Sequence, residues 1–189
     1  LKHDSPSTYG QDGAEYITEK FSNIKIKSIG AVSENGWQGP KYWEVTFEDG
    51  SQAWFGSTPT SENSQARTPI EYNIVKWKDI QGNVIVYSYL QSDNSAVIDK
   101  IKWGGNEDIN QLNFNEINFS YTSPQNGNGT AESYINGLKF FQKRLINEIK
   151  VSSNGKQFKR YEFSYNGFGI SAGNIVYSKN LYQIKEFNS

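Results

Sequence analysis

Three stretches of this chain end in the same pattern: Tyr87-Ser88-Tyr89, Phe119-Ser120-Tyr121 and Phe163-Ser164-Tyr165. Each follows an Ile-Lys or Val-Lys strand and a turn. The first unit runs from Val75-Lys76-Trp77 through Gly82-Asn83. The second runs from Ile98 to Trp103 through Gly104-Gly105 and a longer polar connection, and the third from Leu145 to Val151 through Asn154-Gly155. A recurring strand–turn–strand unit constrains the fold strongly, because each copy buries its apolar side only against its neighbours. The spacings are unequal, which excludes a regular solenoid and predicts an all-β fold, an antiparallel meander of unequal hairpins forming a curved sheet. A fourth opening half, Leu181 to Phe187, begins near the C-terminus with no partner, as a segment of a larger β shell would show.

Composition supplies what such a sheet needs. Aromatic residues make up 15% of the 189, and such side chains stabilise pleated surfaces through cross-strand pairs. The 17 glycines lie mostly beside Asn or Asp, and Asn-Gly or Asp-Gly between extended runs is a strong hairpin signal. Net charge is −1, with 19 basic and 20 acidic residues interspersed, which argues against a nucleic-acid or anionic-membrane footprint. No apolar run approaches the ~18 residues of a membrane span. With no Cys, disulfide scaffolds and thiol chemistry are excluded; with no Met, the sequence reads as a processed product or an excised fragment.

Before the repeats, Tyr9 to Glu19 reads as loop and short strand, Lys20 to Ile29 as a half-buried strand, and Gly36 to Pro40 as a turn. A two-residue Asp49-Gly50 turn would set Phe47 opposite Gln52 and Val45 opposite Trp54. Trp43, Val45, Phe47 and Trp54 then share the core face, with Glu44, Thr46 and Glu48 on the other. Ser57 to Pro69, with two prolines, is a long polar loop. Leu138, Phe141, Leu145 and Ile149 fall at helical spacing, yet Gly137, the Ile-Lys-Val ending and the repeat favour strand. In the last full hairpin, a three-residue loop, Ser153 to Gly155, pairs Leu145 with Phe163 and puts Leu145, Ile149 and Val151 on one face with Tyr161, Phe163 and Tyr165. The chain therefore divides into an N-terminal loop and strand (1–40), hairpin repeats (41–165), and a connection with the start of a next hairpin (166–189), all in one domain.

No catalytic, cofactor or metal residue can be nominated. His3 is the only histidine, so a His-based triad or multi-His metal site is excluded, and no base is available to activate a Ser. Glu44 and Glu48 on one strand face resemble a glycosidase carboxylate pair, but two Glu beside Lys more simply solvate a surface. Asn106, Glu107, Asp108 and Asn110 offer oxygen ligands without the Gly-turned spacing of a calcium loop. Gly167-Phe168-Gly169-Ile170-Ser171 lacks the Lys and helix of a phosphate loop and reads as a connection. Trp and Tyr side chains could form a sugar-stacking platform, although alternation turns most of them inward.

Taken in order, several of these pieces form a series: Tyr9-Gly10, Gly13, Tyr16 and Glu19; Tyr42-Trp43-Glu44-Val45 into Asp49-Gly50 and Phe55-Gly56; Lys78-Asp79-Ile80-Gln81-Gly82-Asn83 and Val86-Tyr87-Ser88-Tyr89. Tyr134-Ile135-Asn136-Gly137, Arg144-Leu145, Ile149, Val151 and Tyr161-Glu162-Phe163-Ser164-Tyr165 complete it. From about Ser5 to Tyr165 the series resembles the N-terminal part of SpvB/TcdB-type toxin proteins, related to the Rhs or YD-repeat family. The resemblance implies a non-enzymatic segment of a secreted or surface bacterial toxin shell. Such shells wrap a cytotoxic effector, so the implied partners are the remainder of a longer chain and other toxin-complex subunits. The chain shows no FG-GAP propeller repeats, no Rhs-associated core with its self-cleaving aspartate, no effector and no long run of Tyr-Asp repeats. The alternative expectation is a carbohydrate-binding or adhesin module using exposed Trp and Tyr.

Overall fold

In the computed structural model, residues 9–20, 22–34, 36–61, 64–122, 131–170 and 176–188 are described, without the side chains of 167–170 and 176–179. His3 and Ser171 lie outside them. Strand accounts for 66% of the chain, against about 20–25% in an ordinary globular domain, so the all-β expectation holds. The elements are β1 (Glu15–Tyr16), β2 (Lys25–Ile29), β3 (Val32–Glu34), β4 (Trp37–Gly39), β5 (Tyr42–Thr46), β6 (Gln52–Phe55), β7 (Ile74–Lys78) and β8 (Asn83–Ser92). They continue as β9 (Ser95–Asn106), β10 (Asn115–Thr122), β11 (Ala131–Ile135), β12 (Leu138–Gln142), β13 (Leu145–Ser153), β14 (Lys156–Ile170) and β15 (Val176–Asn188). Eleven of them form one open antiparallel sheet in the order β1-β2-β5-β6-β7-β8-β9-β10-β13-β14-β15. The ribbons β3–β4 and β11–β12 are inserted between β2 and β5 and between β10 and β13. The residues with helical spacing, Leu138 to Ile149, lie in β12 and β13 as strand.

Two expected registers are corrected. At Asp49-Gly50 the loop has three residues, not two. The Phe47 N–H donates to Ser51 O (2.9 Å), the Gly50 N–H donates to Phe47 O (3.0 Å), and Gly50 sits at φ +83°. This is a type I turn closed by a glycine bulge. Val45 therefore faces Ala53, and Trp54 faces Glu44. The one-residue slip moves Trp54 to the face opposite Trp43, Val45 and Phe47. At Asn154-Gly155 the reverse holds. The turn has two residues, with φ +50° and +74°, and Ser153 opposes Lys156. A bulge follows at once: Ser152 faces Gln157 but Val151 faces Lys159, which leaves Phe158 unpaired and 61% exposed. Beyond the bulge Ile149 faces Tyr161, two residues off the expected Leu145–Phe163 register, so that pairing is also corrected; a shift of two keeps Ile149 and Tyr161 on one face.

Three further readings change. Trp37 to Gly39, expected as part of a turn, pairs with Val32 to Glu34 as β3–β4. Leu181 to Phe187 is not an unpartnered half, because β15 pairs along its length with β14. Gly167 to Ile170, read as a connection, continues β14 and pairs with Lys179 back to Val176. That hairpin is longer than its repeat relatives, which the motif spacing did not reveal.

The segment between β6 and β7, including one 3₁₀ turn at Ser64–Ala66, folds back over one end of the sheet. There Tyr42, Trp54, Ala66 and Val75 form the buried cluster, with Ile29 and Tyr89 against it. Arg67, 3% exposed, ties the segment down: its Nη1 donates to Lys41 O (2.8 Å), and its Nη2 pairs with Glu34 Oε1 (2.6 Å). The polar loop of the sequence thus contributes Ala66 to the buried cluster and buries its own Ser57, Arg67 and Thr68.

Candidate functional site

Following the registers across the strands separates two faces. One row reads Lys27, Glu44, Trp54, Lys76, Val86, Lys102, Glu116, Ser152 from β2 to β13. The row behind it reads Ile26, Val45, Ala53, Trp77, Ile85, Trp103. Farther along, Tyr87, Ile101, Ile117 and Val151 form a second apolar row, and Phe119, Ile149 and Tyr161 a third. Of these apolar-face residues only Ala53 is fully buried; the others are half-buried.

The opposite face is charged and internally neutralised. Lys76 Nζ meets Glu107 Oε1 at 2.5 Å, Lys78 Nζ meets Asp108 Oδ1 at 2.9 Å, and Lys102 Nζ meets Glu116 Oε2 at 3.3 Å. Glu148 lies 3.0 Å from Lys150 and 3.3 Å from Arg160, which also pairs with Glu162. The hydrogen bond from Lys150, then that from Arg160, lowers the Glu148 pKa below the usual carboxylate value. Exposed pairs of this kind contribute roughly 0–1 kcal/mol each, so the face is charge-matched more than it is stabilising.

The repeated tripeptide has a common geometry. Tyr89 donates its hydroxyl to Ile74 O (2.8 Å), Tyr121 to Ile98 O (2.5 Å) and Tyr165 to Ile146 O (2.7 Å). Each acceptor lies on the preceding strand of the sheet, beyond the last ladder pair: Lys76–Val86, Lys100–Asn118 and Glu148–Glu162. On the other side of each repeat strand the register shifts at the same step, Ser88/Tyr89, Ser120/Tyr121 and Ser164/Tyr165. The motif is therefore a bulge plus a hydroxyl cap on a carbonyl that the ladder has released. Burial pushes the Tyr89 phenol up to about 12 and raises those of Tyr121 and Tyr165, so all three remain donors at neutral pH. The tripeptide was legible in the sequence, but the carbonyl each tyrosine reaches was not.

The residues weighed for chemistry take structural roles. Glu44, half-buried rather than exposed, accepts from the Trp54 indole N–H at 3.1 Å. Glu48 is exposed and accepts from the Asn23 backbone N–H at 2.9 Å. A shallow hollow beside Glu48 is lined by Phe47, Ser51 and Trp77, and Glu44 does not reach it. Asn106 ties its own loop to the Gly82 turn, donating to Gln81 O (2.8 Å) and accepting from the Asp108 N–H (3.0 Å). Glu107 and Asp108 point at Lys76 and Lys78, and Asn110 takes a left-handed turn position at φ +54°. No group of three acidic or histidine ligands occurs among the described residues.

The tryptophans are all buried or half-buried, so the exposed-Trp platform does not form. Trp43, Tyr16, Tyr72 and Trp37 pack edge to face, with interplanar angles of 64–89°, and only Tyr9 at the end of this chain of rings is largely exposed. Edge-to-face packing is how aromatic cores fill space, whereas a sugar platform needs a flat open ring.

This open antiparallel sheet shares its fold with several solved structures. The N-terminal domain of the effector protein SpvB from Salmonella typhimurium strain LT2 superposes with a TM-score of 0.62 at 13% identity, over 93% of this chain and 69% of that one. The structures of TcdB2-TccC3-Cdc42 and TcdB2-TccC3-TEV give TM-scores of 0.58 and 0.56 at 11% and 12% identity. They match 92% and 90% of this chain, which spans 10% of each of theirs. The chain thus has the SpvB and TcdB type of fold. No family model matches the sequence, and no curated protein does.

Proposed function

We propose that this chain is a structural, non-enzymatic wall segment of a secreted or surface toxin-type protein, with one sheet face turned toward a neighbouring part of the assembly. The observation that carries this reading is the apolar face. Three rows of Ile, Val, Trp, Tyr and Phe run across the strands and are covered only in part, while the opposite face is charged and paired. A continuous apolar face that its own chain covers only in part is suited to packing against a partner. The mechanism is mechanical: each hairpin adds to the edge of the last, and the widened wall presents its apolar side to what it encloses or displays. The likeness to SpvB and TcdB2-TccC3 supports a toxin setting. The partners of this reading are the rest of a longer chain and other toxin-complex subunits.

The absence of cysteine makes the test clean. Ile117→Cys places a thiol on the apolar face and Lys150→Cys one on the charged face. In the isolated chain both should react with a maleimide. Co-expressed with the coding sequence that flanks it, the Ile117→Cys thiol should become protected while the Lys150→Cys thiol stays reactive. Equal reactivity of both in the co-expressed material would refute the wall reading.

A further inference from the structure

A polar hollow of about 420 Å³ opens on the charged face, within the roughly 300–1,000 Å³ range of small-molecule sites. Its floor is the cross-strand row Lys102–Glu116–Ser152 on β9, β10 and β13, and its rim comes from Asn113, Phe114 and Asn115 with the Asn154-Gly155 turn. We propose that this hollow binds the ring of a neutral saccharide, through Phe114 and the amides of Asn113 and Asn154.

Charge selects the ligand class. Lys102 already faces Glu116 at 3.3 Å, and Glu116 also meets Lys100 at 3.6 Å and accepts from Asn118. Neither charge is free to hold an ion, so a phosphate or a metal cation gains little here. What remains are the amides of Asn113 and Asn154 and the Ser152 hydroxyl, which offer both donors and acceptors, as sugar hydroxyls require. Phe114, 40% exposed, supplies the apolar flank on which the C–H face of a pyranose can lie.

The site is also built, because two glycines make room for it. A Cβ on Gly104 would come within 2.8 Å of the Phe114 ring, and one on Gly105 within 2.6 Å of Asn113 Oδ1. Asn113 is held by the Gly105 N–H (2.9 Å), and the Asn154 N–H donates to Phe114 O (2.7 Å), locking the turn against the rim. Preformed polar groups lose little freedom on binding, which favours affinity. The inference is independent of the wall reading, since it concerns the other face.

The test is a titration of the isotopically labelled 189-residue chain with D-glucose, D-galactose, D-mannose and N-acetylglucosamine, followed by NMR. At least one sugar should shift the side-chain amides of Asn113 and Asn154 saturably. Phe114→Ala should weaken that binding about tenfold, while Tyr134→Ala, an exposed aromatic elsewhere, should leave it unchanged. The wild-type amide shifts stand as a readout even if Phe114→Ala fails to fold. The proposal is overturned if no sugar shifts these amides, if Tyr134→Ala weakens binding as much as Phe114→Ala does, or if inorganic phosphate binds there and competes.

Discussion

Removing the three repeated hydroxyls tests whether the tripeptide acts through its carbonyl caps. Tyr89→Phe, Tyr121→Phe and Tyr165→Phe each delete one oxygen and leave the ring in place. What is lost is a hydrogen bond of 2.5–2.8 Å to a carbonyl that lies beyond the last ladder pair with the tyrosine's own strand. A net hydrogen bond contributes about 0.5–1.5 kcal/mol, and stranding a buried acceptor adds to that. We therefore expect about 1–2 kcal/mol for Tyr89→Phe, whose ring lies against the Trp54 cluster, and about 1 kcal/mol for each of the other two. In urea, with a slope near the upper part of the ~1–3 kcal/mol/M range, that is a midpoint shift of about 0.5 M per substitution. The three tyrosines sit two strands apart along the sheet, roughly 10 Å, so the triple variant should lose the sum, about 3–4 kcal/mol. Tyr134→Phe is the control: its hydroxyl bonds Glu132 in solvent, and its loss should stay within about 0.5 kcal/mol. If the repeated tyrosines behave like Tyr134, or the triple variant loses no more than one single variant, the cap argument is wrong.

Alkaline pH probes the same chemistry. Tyr72 and Tyr89 keep their protons to about 12 in the fold, against an ordinary value of 10.0, so the unfolded chain ionises first. Stability should be full below pH 10, fall between 10 and 12, and fall less steeply in Tyr89→Phe when urea midpoints are compared across that range. Trp54→Ala should cost about 3–5 kcal/mol by chemical denaturation, because it empties the cluster beneath Ala66. Gly155→Ala should cost about 1 kcal/mol from backbone strain alone, since no atom lies within 4 Å of the new Cβ and φ is +74°. Arg67→Ala strands Glu34 and Lys41 O and should cost about 3–5 kcal/mol in the same assay.

Much of the fold was legible residue by residue. The all-β character followed from Ile-Lys alternation and Gly-containing turns, and the turns at Asp49-Gly50, Gly82-Asn83 and Asn154-Gly155 lie where the sequence places them. The candidate sites were less legible. Lys76 and Lys78 neutralise Glu107 and Asp108 from about 30 residues away in the sequence, and Phe114 meets Asn154 only because β10 lies beside β13. Nothing local to Asn113 or Phe114 marks them as the rim of a hollow.

What the sequence determined by itself was the alphabet of the sheet: which stretches extend, which residues turn, and that each strand carries one apolar and one charged side. Register was decided only by the tertiary structure. Asp49-Gly50 and Asn154-Gly155 look alike as dipeptides, yet one closes a three-residue loop and the other a two-residue turn with a bulge at Phe158. Side chains alternate with a period of two, so either choice satisfies local geometry while exchanging the faces of a whole strand. The energy that separates them lies in burial against strands distant in the sequence: Trp54 under Ala66, and Ile149 between Phe119 and Tyr161.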